Sequence, residues 1–437
     1  MSGGARPVED LELRLVPYLR SSLLLGATLA LVSCAGQAPQ ISNGSGIPSS
    51  LLPGSVSASG GFGKASGNVL LLVPLSGPLA PVGQVLANAA KLAFPPGSTP
   101  ALDIRDTGGT PAGAVNAAQA GLAAGDGVIL GPLTAGDTLA IAPIAKQAGV
   151  NVLAFTNDSA VSAPGVWALG ITPAQQVQRV VQAAANAGHT QLAGLVPDTN
   201  FGHSLAQALQ QEASSLSEPS PQIVYYGPGF SSVNDAVRNI SGWDLRGAAL
   251  MAEIKAAKDQ NTAAGLEKAS ELSRQQVAPP SFNALFIGAT DGDTLAELAN
   301  FLPYYDVSAP QVQLMGPTLW ANLATAMASQ PALLGAIYAA PDPAAAASFQ
   351  AKYSAAYGST PPGIADIAFD AAALARLAAS SGGYTAQVLT APAGFTGTDG
   401  LIVLEPDGTV KRGLAVFSVA PGQPSVVSAA PTSLGQP

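Results

Sequence analysis

The chain has 437 residues, room for two or three domains; 48% are hydrophobic, 10% charged and 5% aromatic, with 48 glycines and 36 prolines. That apolar share is too large for a wholly disordered protein, and 18 basic against 27 acidic residues, net −9, argues against a nucleic-acid binder, which needs a basic face. Two histidines and one cysteine leave almost nothing for soft-metal sites or a disulfide framework.

Residues 1–33 read as a signal segment. Arg14 and Arg20 flank the start of an apolar run from Leu23 to Val32, interrupted only by Gly26 and Thr28. At about ten residues the run is half a bilayer span, the length of a signal peptide's apolar region. Leu31-Val32-Ser33-Cys34, followed by Ala35-Gly36, resembles the bacterial lipoprotein box. The resemblance implies lipidation of Cys34, removal of what precedes it and, with no Asp at position 35, carriage to the outer membrane. Residues 34–67 are rich in Ser, Gly, Pro and Gln without a sustained period, and read as a flexible linker. Gly61-Phe62-Gly63-Lys64-Ala65 is superficially like a phosphate loop. It precedes the first strand rather than following it, and Ala65 stands where a Ser or Thr would hold magnesium.

From Asn68 strands and helices alternate. Val69–Leu75 is a continuous apolar run, as in a strand buried on both faces of a parallel sheet. Helix 81–94, strand 101–105, helix 111–124 with Pro at its first turn, strand 128–130, helix 134–147 and strand 151–155 follow. Thr172-Pro173 opens a second series, whose first helix carries Val177, Val180, Val181 and Ala184 on one face. Strand 192–196, helix 204–216, strand 222–226, strand 284–287 and helix 294–302 continue it. Two such series predict a two-lobed α/β protein. Within the second series residues 247–280 form a charged helical insertion, with Met251, Ile254, Leu266 and Leu272 as a thin apolar stripe. It reads as a solvated hairpin on the second lobe or as a docking surface for another protein.

The strand-end loops carry a resemblance. Val73-Pro74-Leu75-Ser76-Gly77-Pro78, Ile104-Arg105-Asp106-Thr107-Gly108-Gly109, Ile129-Leu130-Gly131-Pro132-Leu133, Ala154-Phe155-Thr156-Asn157-Asp158 and Pro197-Asp198-Thr199-Asn200-Phe201-Gly202 resemble, in register, the type I periplasmic solute-binding fold of leucine-binding proteins. Within it, Leu169-Gly170-Ile171-Thr172-Pro173, the insertion, Phe301-Leu302-Pro303-Tyr304-Tyr305-Asp306, Gly316-Pro317-Thr318-Leu319-Trp320 and Ala340-Pro341-Asp342-Pro343 are similar to the penicillin-binding protein activators of LpoA type. The helical-repeat domain of the larger activators is not present in this sequence. The resemblance implies two hinge-joined lobes, each a largely parallel sheet flanked by helices, with a cleft between them. Lobe 1 takes residues 68–172 and 341–393, lobe 2 takes 173–340 and 394–420, and the end from Pro421 is expected to fray.

Ligands of open α/β sheets settle beyond the carboxyl ends of the strands, where loop N–H groups and helix N-termini suit a carboxylate. The expected contacts are Ser76, Leu133, Thr134, Phe155 and Thr156 from lobe 1, and Asn200, Phe201, Thr290, Asp291 and Thr318 from lobe 2. The Ser and Thr positions also suit helix N-caps. Amino-acid-binding relatives place an acidic residue after a Met-Gly-Pro-like turn to meet the ligand ammonium; here Met315-Gly316-Pro317 leads to Thr318, with Asp291 the substitute. Catalysis is not expected. His203 and Ser204 are adjacent on a helix and point about 100° apart, and no Gly-x-Ser-x-Gly elbow occurs. The expected role is a non-enzymatic periplasmic protein without cofactor, anchored by lipid. Its expected partner is first a penicillin-binding protein whose peptidoglycan synthesis it regulates, with the permease of an ABC system for branched-chain amino acids as the alternative, and a small amino-acid-like molecule or cell-wall fragment is the ligand expected in the cleft.

Overall fold

The computed structural model describes residues 63–275 and 277–434. The signal segment, Cys34 and most of the linker lie outside the described residues. The first lobe runs β1 (Val69–Val73), α1 (Ala80–Ala93), β2 (Leu102–Asp106), α2 (Pro111–Ala124), β3 (Val128–Leu130), α3 (Ala135–Gln147), β4 (Asn151–Ala154) and β5 (Val166–Ala168). Its strands form one parallel sheet in the order β2-β1-β3-β4-β5. All five side chains of β1 are buried, because helices cover both faces of the sheet. Thr110 accepts a hydrogen bond from Gly113 N and Pro111 opens the turn, which starts α2; Gly125 in the left-handed region ends it.

The second lobe continues with α4 (Pro173–Asn186), β6 (Leu192–Pro197), α5 (Asn200–Ser215), β7 (Gln222–Tyr226), α6 (Phe230–Ser241), α7 (Trp243–Arg246), α8 (Ala248–Asp259), α9 (Ala263–Leu272), β8 (Ala284–Ile287), α10 (Gly292–Tyr304), β9 (Gln313–Gly316), α11 (Ala324–Met327) and β10 (Ile337–Ala340). The chain returns through α12 (Pro343–Tyr357), α13 (Ala365–Ser380), α14 (Ala386–Leu389), β11 (Phe395–Gly397), β12 (Gly400–Leu404) and β13 (Val410–Arg412), then ends in β14 (Ala415–Ser418) and β15 (Ser425–Ser428). The second sheet is β15-β14-β10-β9-β8-β6-β7, parallel except at β14 and β15. The predicted two-lobed α/β architecture is therefore the observed one.

Four details differ from expectation. Residues 395–412 form a separate antiparallel sheet, β11-β12-β13, whose Ile402, Leu404 and Val410 pack into the first lobe's core rather than the second's. The end expected to fray supplies β15, which pairs with β14 and covers its open edge. The linker expected to run to residue 67 is already packed at Lys64, whose carbonyl accepts from Tyr384 N and whose Nζ reaches the Asp126 carbonyl. Helix α5 also starts four residues before the predicted Ser204, because Thr199 caps it by accepting from Gly202 N. The insertion is a hairpin of α8 and α9 with its own small core of Ala257, Ala269 and Leu272, and Met251 and Leu266 stay exposed.

Close approach of the first loop to α1 depends on Gly83. A Cβ there would lie 1.8 Å from the Pro74 carbonyl oxygen. Gly83→Ala should therefore cost about 1–3 kcal/mol. Urea unfolding should show a lower midpoint at unchanged slope; an unchanged midpoint would mean that the loop yields freely.

Candidate functional site

The chain passes between the lobes three times: after β5, after β10 and after β13. The carboxyl ends of the strands meet at these crossings, where a cavity of about 400 Å³ opens. Phe155, Ile171, Phe201, Leu319, Ile364 and Leu133 give it an apolar lining; Thr156, Thr318, Asp399 and Arg412 are among its polar groups. A larger groove of about 900 Å³ lies at the opposite end of lobe 1, against Asn68, Thr99 and Gly125. That is the amino end of the sheet, away from the face where α/β folds hold ligands.

The cavity brings together five of the expected residues, Leu133, Phe155, Thr156, Phe201 and Thr318. The other five lie elsewhere, and helix capping explains two of them. Thr134 caps α3 by accepting from Asp137 N, and Asp291 caps α10 by accepting from Thr294 N. Ser76 is tied to Asp106, whose carboxylate also accepts from Leu75 N and Gly108 N. The Ser76 hydroxyl leads the hydrogen bonds that hold the Asp106 carboxyl below its ordinary value, against the opposing effect of burial. Asn200 lines a neighbouring groove with Asn157 and Phe201, and Thr290 is exposed beside Asp291.

Thr318 sits where its sequence context suggested. Trp320 is fully buried against Gly316, its Nε1 donating to the Ala289 carbonyl at 2.9 Å. This pins the turn. Thr318 N donates to Gln176 Oε1, while Gln176 Nε2 donates to the Ile171 carbonyl, so the crossing after β5 is laced to the turn after β9. The Thr318 hydroxyl is buried without a partner.

A charged cluster at the same place was not anticipated. The guanidinium of Arg412 is almost wholly buried; Nη2 donates to the Leu169 carbonyl at 2.5 Å and lies 3.6 Å from Asp399 Oδ2. Its Nε and Nη1 have no partner. Asp370 accepts from Thr398 N, the Thr398 hydroxyl and Asp399 N. Burial pushes Asp370 up to about 6, those hydrogen bonds opposing. Burial, then repulsion from Asp399 and Asp370, pushes Asp366 to about 8, so it keeps a proton that it shares with Asp399. Asp366 and Asp370, four apart on α13, share one helix face and were legible as a pair. Arg412 was not, since its partner Leu169 is 243 residues away.

The pair that would suggest a hydrolase is taken apart. His203 Nε2 lies 2.9 Å from Asp198 Oδ1 and its ring packs on Tyr225, whereas the Ser204 hydroxyl donates to the Asn200 carbonyl. His189 Nδ1 lies 2.9 Å from the Asn283 carbonyl. No group of metal-ligating side chains occurs among the described residues.

Residues 68–423 match the family described as periplasmic binding protein. No curated protein is similar in sequence. Among solved structures, a candidate branched-chain amino acid ABC transporter protein from Rhodospirillum rubrum is 17% identical with a TM-score of 0.62, covering 83% of this chain and 100% of that one. The C-domain of LpoA from Haemophilus influenzae, a regulator of PBP1A, is 17% identical with a TM-score of 0.58, covering 82% and 99%. Of full-length LpoA from that organism the chain spans 60%. The leucine-binding protein LivK from Thermotoga maritima is 17% identical with a TM-score of 0.51, covering 83% and 98%. These values establish the fold and do not set LpoA apart from the solute-binding proteins.

Proposed function

The chain belongs to the periplasmic binding protein family, and from that premise we propose that it captures a small solute between its lobes as a non-enzymatic, lipid-anchored receptor of the periplasm. One observation carries the reading: a mainly apolar cavity of about 400 Å³ lies at the carboxyl ends of strands from both lobes, within the volume range of small-molecule sites. Lobes joined by three chain crossings can close on a ligand and present the closed form to an ABC permease. The anchor at Cys34 belongs to the same proposal.

Regulation of a penicillin-binding protein is the second reading. The α8–α9 hairpin favours it, because Met251 is 46% exposed and Leu266 56%, a surface free to meet a partner, and the LpoA C-domain shares the fold. Thermal unfolding of the full chain should decide, with branched-chain and other amino acids, organic acids, short peptides and muropeptides as the panel. A solute at a hundredfold excess over Kd raises stability by about 2.7 kcal/mol, and a saturable rise is the expected result. A flat response across the panel, together with capture of a penicillin-binding protein that deletion of α8–α9 abolishes, would establish the second reading instead.

A further inference from the structure

We propose that the groove beside the cavity is a second subsite of the cleft, and that the ligand spanning both is a short peptide with an apolar end. The inference rests on the solute-binding reading above and names its substrate class. The groove holds about 570 Å³ and shares Asn157 and Phe201 with the cavity, so the two adjoin. One wall comes from lobe 1, where Asn157 and Ser159 follow β4; the other is α5 of lobe 2. From α5 the lining residues are Asn200, Ser204, Gln207 and Gln211, at i, i+4, i+7 and i+11, which is one stripe of that helix. A groove walled by both lobes narrows as they close, as capture of a ligand requires.

Every polar group of that stripe is neutral. Among the described residues, the side-chain amides of Asn157, Asn200, Gln207 and Gln211 have no partner within the protein. Ser204 donates to the Asn200 carbonyl and keeps its oxygen free to accept. Asp158 is the one charged residue of the lining, and its carboxylate accepts from Ala160 N. A primary amide donates and accepts at once, as a peptide group does, so the two pair by complementary hydrogen bonds. Each exchange of water for peptide adds modestly, and several together make a tenfold gain. The stripe is about 16 Å long at about 1.5 Å per residue, and an extended peptide at about 3.3 Å per residue covers it with about five. Beyond Phe201 the lining has no aromatic face on which a sugar ring would stack, which favours a peptide over a glycan. The adjoining cavity, with Phe155, Leu319 and Ile364 in its wall, takes the apolar side chain at the peptide's end.

The test is isothermal titration of the unmodified full chain with N-acetyl-leucinamide, N-acetyl-phenylalaninamide and blocked pentapeptides carrying the same residue at either end of four alanines. At least one pentapeptide should bind tenfold or more tightly than the single residue it contains. Gln207→Ala combined with Gln211→Ala leaves α5 a good helix and removes two exposed amides. That variant should lose most of the gain with length and bind the single residues as the parent does, with the melting temperature as the check on folding. Pentapeptides that bind no better than single residues overturn the second subsite and leave the cleft a receptor of small solutes. A gain that the double variant keeps in full also overturns it, since the peptide then runs elsewhere. Tighter binding of chitotetraose than of any pentapeptide would replace the peptide by a glycan. Silence from every peptide overturns the assignment as well; if the wider panel is also silent, the receptor reading falls with it.

Discussion

Replacing Trp320 by Ala should cost the fold about 3–5 kcal/mol, the usual price of removing a large aromatic from a packed core. The ring is fully buried in the second lobe's core, and Gly316 is the residue it packs upon: a Cβ at Gly316 would lie 2.2 Å from the indole. Its Nε1 is also the donor to the Ala289 carbonyl, two residues past the end of β8. The indole thus ties β8 and β9 together directly beneath Thr318 and Leu319, two residues of the cleft. Trp320→Phe keeps most of the packing and leaves that carbonyl without its donor, so about 1–3 kcal/mol should be lost. Urea unfolding measures both. If the receptor reading holds, Trp320→Phe should also weaken solute binding, because the turn carrying Thr318 loses its tie. A Trp320→Ala protein as stable as the parent would show that the turn is held by its backbone alone.

How much of this was written in the sequence varies with the range of the interaction concerned. The buried parallel strands were plain, because five consecutive apolar residues such as Val69–Val73 suit little else. The loops following them were also plain, since Gly, Pro and capping residues act within a few positions. Short or edge elements were less so. β5 has three residues, and β15 is a Ser-Val-Val-Ser run that becomes a strand only because β14 offers it an edge. The cleft split along the same line. Leu133, Phe155 and Thr156 follow strand ends and could be placed by topology, whereas Thr134 and Asp291 obey the local logic of a cap. The cluster of Asp366, Asp370, Asp399 and Arg412 needed the whole fold. α13 presents two carboxylates on one face, and the β11–β13 sheet, which folds onto lobe 1, brings the other two charges to them.

That cluster predicts how stability changes with pH. Asp366 at about 8 and Asp370 at about 6 both stand above the 3.8 of an ordinary Asp. Asp126, buried at the other end of lobe 1 and repelled by Asp103, stands at about 6. The native protein therefore holds protons that the unfolded chain has already released. The stabilisation is complete below pH about 4 and is lost as pH rises, first through 6 as Asp370 and Asp126 ionise and then through 8 as Asp366 does. Each group contributes a slope of up to about 1.4 kcal/mol per pH unit in its window. Urea midpoints should accordingly fall between pH 5.5 and 8.5. Asp366→Asn retains a donor toward Asp399 and cannot ionise, so it should flatten the curve between pH 6 and 8 and exceed the parent's stability at pH 8. Asp126→Asn should act differently, removing only the part of the slope below about pH 6. A parent curve that is level or rises from pH 5.5 to 8.5 would falsify the assignment of buried, protonated carboxyls. Identical slopes for the parent and Asp366→Asn would show instead that Asp366 ionises freely, and that Arg412 neutralises the cluster without the shared proton.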